Sequence, residues 1–172
     1  MDAARKRTWA EIDLSALSHN YHAIRASLPE GCRFLGVIKA DAYGHGALRV
    51  AQLLQEEAEK GNYVIAGGDF NQIFSNADAA AYPNLGGEWT PGQIDVDEVE
   101  GDWQFLMDAS APSCRSLRTP LEGADPDPAK FQYYLIDGFI VSGNLQADYL
   151  QTVDYGFVNT DHNPVMLQVT LR

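Results

Sequence analysis

Two stretches of this 172-residue chain carry side chains whose types and spacing suit chemistry. In Gly67-Gly68-Asp69-Phe70-Asn71 a carboxylate and a carboxamide stand two residues apart, so at the end of an extended strand both point to one side. Far downstream, Asp161 and His162 precede Asn163-Pro164 and again set polar groups at the mouth of a strand. Phosphoester hydrolysis needs a hard cation held by oxygen ligands, a base for water and a donor for charge developing on phosphate. Asp69, Asn71, Asp161 and His162 supply those types. A different chemistry is offered by Lys39, which directly follows the apolar run Phe34 to Ile38 and faces the loop Ala40 to Gly46. A lysine at the end of a buried strand, beside glycines that let a ligand approach closely, is placed as a Schiff-base lysine would be.

The elements that must position these groups follow from periodicity. Trp9 to Leu14 alternates apolar and acidic residues as a strand would, and Ser15 offers an N-cap for a helix through Leu17, Tyr21, Ile24 and Leu28. Pro29 and Gly31 end that helix, Phe34 to Ile38 reads as a buried strand, and Ala47 to Glu59 as an amphipathic helix closed by Lys60 and Gly61. Tyr63 to Ala66 is the next strand, and the alternation predicts parallel strands with helices packed on them. After Asn71 a long stretch rich in Ala, Asp, Gly and Pro is relieved only by Trp103, Phe105, Leu106 and Met107, a length that points to a functional or a disordered loop. Strands resume at Tyr133 to Val141, and Val165, Leu167, Val169 and Leu171 give a period-two strand with one buried face.

Charge is divided unevenly. Glu59 to Arg172 holds seventeen Asp and Glu against five Lys and Arg, while the residues before it balance, and the net charge is −12. A surface of that sign repels phosphate backbones, which makes extended duplex nucleic acid an unlikely partner and leaves a small or isolated phosphoester as the expected one. No apolar run approaches the roughly 20 residues of a membrane helix, and Glu11 and Asp13 interrupt any signal-peptide core, so the expectation is a cytoplasmic protein without a membrane partner. Cys32 and Cys114, far apart and without metal spacing, read as reduced thiols.

The segment TWAEIDLSALSHNY, followed by VIKADAYGHG, resembles the opening of the alanine racemase family over roughly residues 7 to 57. The resemblance implies pyridoxal phosphate on Lys39, which would also act as a base, with Tyr43 near the cofactor phosphate. The racemase barrel and second domain supply further contacts and an opposing tyrosine, for which no counterpart is found here. GGDFN, IDGFIVS and TDHNPV, in that order, resemble the second half of the endonuclease/exonuclease/phosphatase family over about residues 54 to 172. That resemblance implies Asp69 as the water-activating aspartate, Asn71 as a phosphate ligand, Asp161 at a Mg2+ or Mn2+ site and His162 as the catalytic histidine. It also implies Asp137 as the group that orients His162, since a carboxylate partner fixes the ring and stabilises the imidazolium. The family's serine before Asp-His is Thr160 here, and its first-half asparagine, metal-binding glutamate and second histidine have no match before Asp69.

The two resemblances overlap in ALRVAQLLQEEAE, residues 47 to 59, a helix suited to either. The expected organisation is α/β. Two β/α units of a racemase-type barrel, residues 1–57, precede a partial endonuclease/exonuclease/phosphatase-type sandwich half, residues 58–172. The leading reading is an incomplete divalent-metal phosphoesterase; the alternatives are a pyridoxal phosphate-dependent racemase fragment and an inert fusion. The polar groups of the second part are expected at one rim, with Lys39 apart from them.

Overall fold

The computed structural model describes residues 12–29, 35–36, 47–86, 89–117 and 131–172. Its contacts divide the chain into two compact units, Met1–Cys32 and Arg33–Arg172. Lys39 and Tyr43 lie outside the described residues, as do Trp9 to Glu11 and most of Phe34 to Ile38.

The first unit is built on helix α1, Leu14–Ser27. Its N-cap is Asp13, whose carboxylate accepts from Ser15 N at 2.8 Å and Ala16 N at 3.1 Å. The expected Ser15 cap is therefore corrected: a carboxylate two residues earlier satisfies the free amides and favours the positive helix end. The expected Trp9 to Leu14 strand does not extend over its last three positions, because Leu14 is the first helical residue and Ile12 and Asp13 are not in a strand. None of the α1 side chains is buried.

The second unit is a mixed α/β body. Strand β1, Leu35–Gly36, and helix α2, Ala47–Glu59, lead to β2, Ile65–Asp69. β1 and β2 pair in parallel, as the alternation predicts. The long stretch after Asn71 is not one loop but a series of short strands: β3, Gln72–Phe74; β4, Gly92–Ile94; β5, Trp103–Leu106; and β6, Cys114–Arg115. Next come β7, Tyr133–Tyr134; β8, Asp137–Ser142; β9, Leu145–Thr152; and β10, Val165–Leu171. The main sheet has the order β1-β2-β8-β5, with β8 antiparallel to both β2 and β5. The expectation of parallel strands thus holds for β1 and β2, and the rest of this sheet is antiparallel, while β3 and β4 pair in parallel in a sheet of their own. β9 and β10 form an antiparallel pair with a register shift between Gln168 and Val169, and β10 alternates half-buried and exposed positions along its whole length.

The core that fixes this sheet is aromatic. Phe74, with no exposed surface, meets Phe70 at 5.0 Å and Phe105 at 5.2 Å between centroids, both edge to face. That geometry sets the positive edge of one ring on the negative face of the next. Leu54 from α2, Trp103 and Ile140 close around the cluster. Gly138 lets β5 approach β8, since a Cβ there would lie 2.4 Å from Leu106 O. Among the described residues no helix is long and apolar enough to cross a membrane.

Candidate functional site

Asp69 and Asp137 come together through sheet register. Asp69 is the last residue of β2 and Asp137 the first of β8, and the two are direct cross-strand partners. Like charges placed opposite one another repel, so this end of the sheet favours a positive group beside them. Asn71 is bound to Asp69: its backbone N donates to Oδ1 at 2.8 Å and its Nδ2 to Oδ2 at 3.3 Å. Its φ of 53° is a left-handed conformation that asparagine tolerates better than most residues. The carboxamide expected to face a phosphate is thus turned onto its neighbour.

His162 supplies the positive group. Its Nδ1 lies 2.8 Å from Asp137 Oδ2. The loop that carries it is pinned on both sides, because Arg115 N donates to Asp161 O at 3.0 Å and Asn163 N to Ser113 O at 2.8 Å, a bridge that pairs Cys114 with His162. Asn163, 3% exposed, donates to Pro112 O at 2.9 Å and accepts from Tyr155 N at 3.1 Å. Ser113, fully buried, holds the other member of the pair: its hydroxyl accepts from Ile136 N at 3.0 Å and Asp137 N at 3.1 Å. Links therefore run from Asn71 to Asp69, from Asp69 to Asp137 and from Asp137 to His162, with Asp161 next to His162. Ser113, Cys114 and Asn163 are site residues that the sequence reading does not single out.

The hydrogen bond that Nδ1–H donates to Asp137 is the main cause that raises the His162 pKa to about 10, with a smaller contribution from Cys114 and burial opposing both. Burial pushes the Cys114 thiol up from its ordinary value, so at neutral pH the thiol is uncharged and Asp137 is what retains the imidazolium. A folded pKa above the unfolded value of 6.5 stabilises the fold fully below about pH 6.5, and that contribution is lost as pH rises through about 10. Asp137→Asn is expected to cost roughly 1 to 2 kcal/mol near neutral pH, less than a fully buried charged hydrogen bond because the His162 side chain is 30% exposed. Urea unfolding at several pH values checks this: the gap between the parent and the variant should close as pH passes through about 10.

Magnesium or manganese would need several oxygen ligands around one point. Among the described residues the acidic, thiol and imidazole ligand atoms that gather, within 4.8 Å of one another, are those of Cys114, Asp161 and His162. One carboxylate with a sulfur and a nitrogen does not fit a hard cation, and among the described residues no group of three such ligands includes Asp69 or Asp137. The expected Mg2+ or Mn2+ at Asp161 finds no support in this group.

The family model for the N-terminal domain of alanine racemase matches residues 12–64. That stretch is racemase-like. An alanine racemase of Pseudomonas fluorescens is 60% identical over 50 residues, which are 29% of this chain and 13% of that protein. Those of Nostoc sp. and Synechocystis sp. are each 35% identical, over 107 and 113 residues. These matches cover 62% and 66% of this chain but 27% and 30% of the relatives. The chain thus spans less than a third of the length of the curated relatives it matches. No solved structure matches. These findings support the racemase resemblance and lend nothing to the phosphoesterase one.

Proposed function

We propose that the chain joins two incomplete sites of different ancestry, residues 1–57 from a racemase and residues 58–172 from a phosphoester hydrolase. The comparisons favour the first, and the geometry of the described residues speaks for the second.

For the first, the match over residues 12–64 and the sequence KADAYGHG support a pyridoxal phosphate-binding lysine at Lys39, with Tyr43 toward the phosphate. When bound, the cofactor would withdraw electrons from an amino acid's α-carbon. Titration of the chain with pyridoxal phosphate tests this. Visible absorbance that borohydride abolishes, leaving the cofactor covalently bonded to the parent but not to Lys39→Ala, is expected, and equal labelling of the two would remove the reading.

For the second, the observation that carries it is the 2.8 Å contact between His162 Nδ1 and Asp137. With Nδ1 engaged, Nε2–H is the proton that His162 presents to the oxygen of a phosphoester, and the imidazolium stabilises charge developing there. Asp69, across from Asp137, is placed to take a proton from water. The substrate class is a small or isolated phosphoester, in keeping with the acidic second part of the chain. Hydrolysis of a chromogenic phosphodiester by the full chain, compared with His162→Ala, is the test. A third reading, an inert body that keeps both motifs, is what equal rates for parent and variant would leave.

A further inference from the structure

Cys114 comes from one segment and the adjacent Asp161 and His162 from another, the two joined by a backbone bridge, and the three ligand atoms lie within 4.8 Å of one another. Sulfur, carboxylate oxygen and imidazole nitrogen form a set that suits zinc and its chemical relatives rather than magnesium. Zinc bonds of about 2.0 to 2.3 Å place tetrahedral ligands roughly 3.3 to 3.7 Å apart, so the three need only draw in slightly. A second observation concerns the ring itself. A histidine that ligates a metal commonly gives its other nitrogen to a carboxylate, which fixes its orientation, and His162 Nδ1 is already on Asp137 at 2.8 Å.

We infer that Cys114 Sγ, one Asp161 oxygen and His162 Nε2 form a binding site for a zinc-class divalent ion, with Asp137 positioning the histidine. Three protein ligands leave a fourth position open to water or another ligand. Binding converts the Cys114 thiol to a thiolate and the His162 imidazolium to the neutral ring, so Sγ and Nε2 each release a proton to solvent. Because His162 gives Nε2 to the ion, zinc and the acid role proposed above exclude each other at this residue. The site does not depend on that role: a chain that binds metal through Cys114 and hydrolyses nothing sustains the site and removes the hydrolase reading.

Cobalt(II) titration of the full chain tests the site through its colour rather than through catalysis. One cobalt per chain is expected, with near-ultraviolet sulfur-to-metal absorbance that zinc abolishes and excess magnesium leaves. Cys114→Ser should remove that absorbance and Cys32→Ser should preserve it. Asp137→Asn keeps all three ligands and should weaken binding about 10- to 100-fold. Asp161→Asn, at a half-buried loop position that tolerates an isosteric change, should also bind more weakly. A parent without the absorbance, its survival in Cys114→Ser, or unchanged affinity in Asp161→Asn would each overturn the assignment.

Discussion

Truncating Phe74 to alanine is expected to lower the unfolding free energy by about 3 to 5 kcal/mol, the range for a large buried aromatic that leaves a cavity behind. The ring has no exposed surface and touches Phe70 and Phe105 edge to face, so its loss removes both contacts as well as the buried area. Three elements meet there: β3 carries Phe74, β5 carries Phe105, and Phe70 follows β2 directly. The packing therefore also sets where Asp69 sits. Denaturant unfolding followed by tryptophan fluorescence reads the effect, and a loss below about 1 kcal/mol would show that the aromatic cluster does not hold the sheet.

His162→Ala is expected to reduce phosphodiester hydrolysis by about 10²- to 10⁴-fold, the usual contribution of a positioned acid or base. Its side chain is partly exposed and its neighbours are fixed mostly through backbone, so the variant should keep the fold. Asp137→Asn should lower the rate by less and shift the alkaline limb of the pH profile to lower pH, because it removes the main support of the imidazolium without removing the ring. Initial rates across pH with a chromogenic substrate measure both effects.

How much of this was legible in the sequence depended on the range of the interaction. Helix Ala47–Glu59 and strand Val165–Leu171 follow from local periodicity, 3.6 residues in one and two in the other, and the expected limits match. The α1 cap was misplaced by two residues because Asp13 and Ser15 are both good caps, and only geometry shows which oxygen reaches the amides. β9 was missed: LQADYLQT has weak apolar alternation, and its pairing with β10 is interrupted by a register shift. The short strands between Asn71 and Arg115 were also missed, since elements of two to four residues carry little periodic signal.

At the site, Asp137 and its pairing with His162 were legible only through resemblance, because their contact spans 25 residues and arises from where β8 begins. Cys114 was illegible for a similar reason. A lone cysteine has no spacing to read, and what brings it to His162 is a single bridge between distant segments. Where the three carboxylates stand was equally hidden, since Asp69, Asp137 and Asp161 look alike in sequence, whereas among the described residues Asp69 and Asp137 pair across strands and Asp161 gathers with Cys114 and His162.

The state of the His162 ring tests the central claim most directly. Heteronuclear NMR can follow the imidazole signals of the full chain from about pH 5 to 11, with His162 assigned by its disappearance in His162→Gln. A ring that stays protonated through neutrality and titrates near 10, falling toward 6.5 in Asp137→Asn, is the expected result. A midpoint near 6.5 in the parent, unmoved by Asp137→Asn, would contradict the Asp137–His162 pair and the acid chemistry built on it.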